Sequence, residues 1–456
     1  MLFRIYLILW VILLFGNTKS FASSLSEIPR GQVVDTIKCI EDRSQSYALY
    51  LPSFYTTDKR FPIIYIFEPG GRGKLPIQKY YQIAETYGFI MACSNNSRNG
   101  PNEIFRDAAN AILIDTKTRF TIDTSRFYTM GFSGGSRAAI SLALKLKNIK
   151  GVIACGAGFP DNRRCNELVN FTLVGIVGSH DMNYIEMKEL EQELHKFKIS
   201  YWFDYFNGEH KWPEKDRMED AFLYLYFDAM RRNLIKTDSV FCNQYRQQQL
   251  DKINKTDACQ KYVSYLKLKN FINKLTDTKI IDSEISKCLE ESSVLLQIEM
   301  EKKYQQIEKE WFEKIGSAFK RMNDYPDLWW KSETNKLNKI IADSSDLNMS
   351  LIAKRLINMV YSNSFENYGI EENNFELNIR LMRIAELAKP LSPYPSYYLA
   401  SIYAAQKKDS QALKMLKKAI DNGFSNVELL NKDTNFKHLK TDKKFLEIIA
   451  PISKQN

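Results

Sequence analysis

From Tyr47 to about Leu234, short apolar runs rich in β-branched and aromatic residues alternate with stretches whose apolar residues recur at helical spacing. The runs Tyr47–Leu51, Ile63–Phe67, Phe89–Cys93, Phe127–Gly131, Gly151–Cys155, Leu173–Val177 and Tyr201–Phe206 predict strands. Between them, Gln78–Tyr87, Asn102–Thr118, Arg137–Lys147, Tyr184–Phe197 and Glu214–Leu234 predict helices. Apolar strands separated by helix-length crossovers imply an α/β domain: a mostly parallel sheet with helices on both faces. In such sheets ligands bind beyond the carboxyl ends of the strands, so chemical residues are expected in the loops that follow them.

After about Thr237 the strand pattern stops and Lys, Glu, Gln and Asn dominate. The segment Lys252–Asp343 is rich in helix formers with intermittent apolar positions such as Leu295, Leu296, Ile298, Met300 and Tyr304. It predicts long helices forming a connector, with few turn signals to fix their ends. The last hundred residues or so carry a repeat. In "YYLASIYAAQKKDSQALKMLKKAI", Ala400, Tyr403, Ala412, Leu416 and Ala419 occupy the small and large positions of a tetratricopeptide helix pair. One period of about 34 residues earlier, Met382 falls under Leu416 and Ala385 under Ala419, with Pro390 after the helix end. The first helix of that earlier unit is displaced by an insertion around Asn363–Asn374, and a plain helical hairpin is the alternative. The expected organisation is a leader at 1–22, an α/β domain at 40–237, a helical connector at 238–345 and an all-α, tetratricopeptide-like region at 346–456.

The 456 residues, 44% hydrophobic, 13% aromatic and 26% charged, have ordinary globular composition and suffice for two or three domains. The N-terminus has Arg4, an apolar run from Ile5 to Phe15 and the small-residue pattern Ser20-Phe21-Ala22. That run is short for a bilayer span and has the length of a signal-peptide core, with Ala22 as the cleavage point; an uncleaved anchor is the alternative. No second apolar segment of spanning length follows, so the mature chain is expected to be exported and without a transmembrane segment. The formal charge of +10 falls to +8 when Arg4 and Lys19 leave with the leader. The lysines are interleaved with glutamates along helices, which reads as a solvated surface and not as a nucleic-acid patch. Seven cysteines (39, 93, 155, 165, 242, 259 and 288) show no metal-ligand spacing, and neither metal nor cofactor is expected. An odd count leaves at least one thiol unpaired, while Cys155 with Cys165 and Cys242 with Cys259 are close enough in sequence to pair.

The stretch Gly131-Phe132-Ser133-Gly134-Gly135 fits G-x-S-x-G, with the β-rich "SRFYTM" before it and the helix-like "SRAAISLALKLK" after it. A serine at such a strand-to-helix turn is held in a strained backbone conformation that exposes its hydroxyl. The Gly134 N–H then points, from a helix N-terminus, toward an oxygen that becomes negative during acyl transfer. A serine hydroxyl needs a base, and the base needs an orienting carboxylate, in the chain order Ser, acid, His. Of four histidines, His195 lies in a predicted helix, His438 in the C-terminal region, and His180 comes too early in the order. His210 follows the last strand, in "NGEHKWP", and is the candidate base. Asp181, in "GSHDMNY" after the preceding strand, is the candidate acid, with Asp161 in "GFPDN" as the alternative. Gly71, in the loop after "IIYIFEPGG", is the candidate second oxyanion donor. Tyr184, Trp202 and Trp212 are rim candidates for stacking on an aromatic acyl group or a sugar, and serve equally well as packing residues.

With "EPGG", "GFSGGS", "GSHD" and "HKWP" in this order, residues from about 45 to 235 resemble an α/β-hydrolase, within it the secreted polyhydroxybutyrate depolymerase, feruloyl esterase and acetylxylan esterase group. The resemblance implies a serine hydrolase cleaving carboxylic esters through an acyl-enzyme. Two features depart from it: Pro69 stands where the family usually has a histidine before the oxyanion-loop glycine, and simple secreted esterases lack the helical C-terminal half. A serine peptidase shares the elbow. A reading of another class is a catalytically weak hydrolase scaffold whose helical repeats bind a protein partner.

Overall fold

The structure, a computed structural model, describes residues 28–160, 169–343, 345–371 and 373–453. The leader at 1–22, the alternative acid Asp161, and Cys165 lie outside the described residues. The chain divides into two compact units, 1–179 with 186–298, and 180–185 with 299–456.

In the first unit the strands β1 (Val33–Lys38), β2 (Ser46–Tyr50), β3 (Phe61–Phe67), β4 (Ile90–Ser94), β5 (Ile122–Phe132), β6 (Ile149–Cys155), β7 (Thr172–Gly178) and β8 (Tyr201–Phe206) form one sheet. Its order is β1-β2-β4-β3-β5-β6-β7-β8. β2 is antiparallel to β1 and β4, and the remaining pairs are parallel. The crossovers carry α1 (Lys74–Tyr87), α2 (Asn102–Arg119), α3 (Gly134–Lys145), α4 (Tyr184–Lys196) and α5 (Lys215–Arg231). This is an α/β-hydrolase fold.

Side chains alternate across each strand, so the two faces can be told apart by parity. Ala48, Tyr50, Ile64, Ile66, Met91, Cys93, Tyr128, Met130, Ile153 and Val174 join α1 and α5 in one core. The intervening residues face α2 and α3: the Tyr47 hydroxyl donates to Asp115 at 2.7 Å, and Tyr65 pairs with Thr116 at 3.0 Å. The Thr129 hydroxyl donates to the Ala139 carbonyl at 3.0 Å. Central strands buried on both faces explain why they read as unbroken apolar runs. β1 is an edge strand with a mostly half-exposed or exposed pattern, and no apolar run announces it.

The core of the sheet unit does not stop near Thr237. The helices α6 (Ser239–Ile253), α7 (Ala258–Ile272) and α8 (Lys279–Cys288) bury Cys242, Ile253, Tyr265, Leu268, Phe271, Ile281 and Cys288 in the same cluster as Trp202 and α5. The first part of the segment expected to be a connector is thus a cover for one face of the sheet, and the division into units falls within α9 (Ser292–Lys320).

The second unit is helical: α10 (Asp327–Ala342), α11 (Leu347–Asn367), α12 (Phe375–Ala388), α13 (Pro393–Ala405), α14 (Asp409–Asp421), α15 (Val427–Lys432) and α16 (Lys443–Ser453). Met382, Ala385, Ala400, Tyr403, Ala412, Leu416 and Ala419 are all buried. The Tyr397 and Phe424 rings stack at 4.4 Å. Among the described residues no helix is long and apolar enough to cross a membrane.

The cysteine pairings are corrected. Cys39, Cys93, Cys155, Cys242, Cys259 and Cys288 are free thiols, so neither Cys155 nor the pair Cys242 and Cys259 is bridged. Cys155 ends a central strand, where burial pushes its thiol well above the ordinary range. Cys242 faces inward to Met230 at 3.9 Å, while Cys259 is half-buried on the next helix.

Candidate active site

β5 delivers its last residue, Phe132, to the carboxyl edge of the sheet, and Ser133 makes the turn into α3 with φ 53° and ψ −123°. A side chain rarely adopts this region, and such conformations cluster where surrounding structure imposes them. Here three backbone bonds impose it. Ser133 N–H donates to the Cys155 carbonyl at 2.9 Å, and its own carbonyl accepts from Ser136 N–H at 2.9 Å and Arg137 N–H at 3.2 Å. The flanking glycines leave the turn room. A Cβ on Gly131 would lie 2.6 Å from Ser136 N and closer still to the Gly135 carbonyl, and one on Gly135 would lie 2.7 Å from the Phe67 carbonyl carbon. Strand, elbow and helix are therefore in backbone contact.

The elbow presents a half-buried Ser133 whose Oγ lies 2.9 Å from His210 Nε2. His210 is four residues beyond β8, in a loop fastened from several sides. The Phe132 ring packs against the imidazole at 4.6 Å and against Trp212 at 5.6 Å. Trp212, 6% exposed, also meets Tyr80 of α1 at 6.0 Å. The Tyr80 hydroxyl donates to the Pro213 carbonyl at 2.6 Å, and Lys79 Nζ donates to the Trp212 carbonyl at 3.3 Å. Burial pushes the Tyr80 phenol far above its ordinary range, so it stays a neutral donor.

Gly134 opens α3, and an N–H in the first turn of a helix has no intrahelical acceptor. Its Cα faces the Asn99 carboxamide, which stands in the loop after β4 and whose backbone N–H donates to the Pro69 carbonyl at 2.9 Å. The oxyanion-loop candidate Gly71 has φ 72°, and its N–H donates to the Glu68 carbonyl at 3.2 Å. Glu68 organises this loop. Fully buried, its Oε2 accepts from Gly70 N–H at 2.7 Å and Arg72 N–H at 3.0 Å, while Oε1 accepts from the Arg72 guanidinium at 2.5 Å. Burial pushes the carboxyl up, but these donors and the arginine charge outweigh it and hold Glu68 below the usual carboxylate range.

Asp181 is 1% exposed, three residues beyond the end of β7, and its Oδ1 accepts from Asn183 N–H at 2.9 Å. It belongs to the segment 180–185 of the second unit. Of the aromatic candidates, Trp202 is not at a rim: it is 4% exposed and packs edge-on against Phe271 at 5.0 Å in the core. Trp212 is a packing residue behind His210. One face of the Tyr184 ring is covered by the Arg355 guanidinium at 4.3 Å.

Sequence reasoning missed the parts played by Phe132, Tyr80, Glu68 and Asn99. Glu68 carried a signal, since an acidic residue closing an apolar strand run ahead of Pro-Gly-Gly needs buried partners. Asn99, in the polar stretch "SNNSRNG", had none.

No family model matches the sequence, and no curated protein matches it. Among solved structures the chain resembles the substrate-bound, fluorophosphonate-binding serine hydrolase F of Staphylococcus aureus, at 12% identity over 43% of this chain and 98% of that one, TM-score 0.36. It resembles a ferulic acid esterase at 17% identity over 42% of this chain and 95% of that one, TM-score 0.33. It resembles a thermostable esterase at 13% identity over 39% of this chain and 54% of that one, TM-score 0.32, and so spans about half of that protein's length. These likenesses concern architecture, and the chemistry rests on the geometry of Ser133 and His210.

Proposed function

We propose that the protein is an exported serine hydrolase that cleaves carboxylic esters, of the feruloyl, acetyl-sugar or polyester kind, through an acyl-enzyme. The observation that carries this reading is the 2.9 Å approach of Ser133 Oγ to His210 Nε2 across an elbow whose serine has φ 53°. In the first half-reaction Oγ attacks the ester carbonyl carbon as Nε2 takes its proton. The oxyanion of the tetrahedral intermediate accepts from Gly134 N–H, and Gly71 N–H is the second donor, exchanging its 3.2 Å bond to Glu68 for it. Collapse expels the alcohol, which takes the proton from Nε2. Water then attacks the acyl carbon with His210 again as base, and the acid and free Ser133 are released.

Asp181 is the carboxylate of this proposal, holding the imidazole tautomer in which Nε2 accepts from Ser133 Oγ. Two chain relations support it. Ser179 N–H donates to the Phe206 carbonyl at 2.7 Å, which aligns the end of β7 with that of β8. Asp181 is two residues beyond Ser179, and His210 four beyond Phe206.

The test is labelling of the full chain with a fluorophosphonate probe, with p-nitrophenyl, feruloyl, acetyl-sugar and peptide-amide substrates run beside Ser133→Ala. The expected result is Ser133-dependent labelling, ester turnover in preference to amide, and a loss of about 10⁴-fold or more in Ser133→Ala. Absent labelling of folded protein refutes a hydrolase, and faster amide than ester turnover refutes an esterase in favour of a peptidase. Export is tested by sequencing the N-terminus of the mature chain, with cleavage after Ala22 expected.

A further inference from the structure

Within the second unit the six residues His180–Ile185 are the only part that is not contiguous with the helices, and they carry Asp181. They lie along one helix, α11. Asn358 Nδ2 donates to the His180 carbonyl at 3.3 Å, Ser362 Oγ to Met182 Sδ at 3.8 Å, and the Arg355 guanidinium sits over the Tyr184 ring at 4.3 Å. Residues 355, 358 and 362 recur at three and four, the spacing of a single helix face. The segment is gripped at its first, third and fifth residues, and Asp181 is enclosed between the first two grips.

The grip has a rigid base. Arg355 is held by Glu308 of α9 in a bidentate pair, Nε to Oε1 and Nη2 to Oε2 both at 2.5 Å, with both side chains nearly buried. A fork-shaped guanidinium fixed on one edge by a carboxylate presents a planar face in a fixed place, and that face meets the Tyr184 ring. Met182 is partly buried against the helical core. Asp181 itself is folded into a turn by its bond from Asn183 N–H.

We propose that α11 is the positioning element for the acid: Asn358 and Arg355 fix the segment that carries Asp181. The proposal rests on the reading of Asp181 as the carboxylate partner of His210.

Asn358→Ala removes one grip and Tyr184→Leu removes the other while leaving the Glu308–Arg355 pair intact. Each is made in the full chain, alone and in an Asp181→Asn background, with melting temperature recorded and kcat and KM measured on p-nitrophenyl acetate. The expected result is a fall in kcat on the order of tenfold to a hundredfold, the scale for misplacing a catalytic group by up to 1 Å, with KM within about twofold of wild type. In the Asp181→Asn background neither substitution lowers kcat further, because the group it positions is already lost. A structural role elsewhere would multiply the two losses. Wild-type kcat in both single variants, or multiplicative losses, overturns the proposal alone. Wild-type kcat in Asp181→Asn, in protein that labels at Ser133, overturns the acid and the proposal with it. Absence of labelling in the parent chain overturns the hydrolase reading beneath both.

Discussion

Replacing Gly135 by alanine tests the elbow at its most crowded point. Gly135 has ordinary right-handed helical geometry, so an added methyl group meets steric resistance and no backbone penalty. That methyl carbon would stand 2.7 Å from the Phe67 carbonyl carbon, against roughly 3.5–4.0 Å for relaxed carbon contacts. The start of α3 or the end of β3 must therefore retreat by about 1 Å, and both are backbone, with no rotamer to turn. Overpacking of this kind costs about 1–3 kcal/mol, and at about 2–4 °C per kcal/mol the melting temperature falls by several degrees. The same displacement moves Gly134 N–H and Ser133 Oγ relative to His210, and about 1 Å there costs on the order of 10²-fold in rate. The assay pairs differential scanning calorimetry with the second-order rate of fluorophosphonate labelling. Gly423→Ala is the control: its φ is 95° with nothing within 4 Å of an added Cβ, so it pays only the backbone term of about 1 kcal/mol and leaves labelling unchanged. A Gly135→Ala protein with parental melting temperature and a labelling rate within twofold of the parent would refute the backbone contact of β3, elbow and α3.

The buried Glu68 gives a pH signature. Its carboxyl is held below its reference value of 4.5, so its contribution is fully present above that pH and is lost as the pH falls through the lower folded value. Glu68→Gln should lower stability at pH 7 by about 1 kcal/mol, given that Arg72 is largely solvated. Its melting temperature should then vary less than the parent's below about pH 4.5, and parallel curves from pH 3 to 7 would refute the assignment. Tyr80→Phe removes the 2.6 Å bond to the Pro213 carbonyl behind His210. It should cost about 1–2 kcal/mol and lower kcat more than it raises KM on p-nitrophenyl acetate, whereas unchanged kcat would detach Tyr80 from the site.

The central strands were legible because burial on both faces leaves no polar position to break the run, and each observed strand begins or ends within a few residues of its apolar stretch. β1 was not, because an edge strand with a half-exposed pattern has the composition of a loop. Ser133 and His210 were legible together because a local motif fixes the elbow and the order of strands leaves one suitable histidine. The helix starts of the second half were readable in part. Asp238, Asp257, Asp346 and Asn374 each cap a helix by accepting a backbone N–H three residues on, and one of them, Asp257, lies in the segment Lys252–Asp343 read as poor in turn signals. What no local pattern could supply was destination. The intermittent apolar positions of α6–α8 are compatible with helices without saying which core receives them, and here it is that of the sheet. The same holds for Trp202, whose alternation places it on a face but not at a depth.

Ser133 sits with φ 53° and ψ −123°, a conformation natural to glycine and costing other residues about 1–3 kcal/mol. Stability and chemistry therefore pull in opposite directions at this codon. On the proposed reading of Ser133 as nucleophile, Ser133→Gly is expected to raise the melting temperature while it abolishes probe labelling. The turn thus concentrates a stability handicap in one residue, offset by nothing in the fold except the placement of the Ser133 hydroxyl.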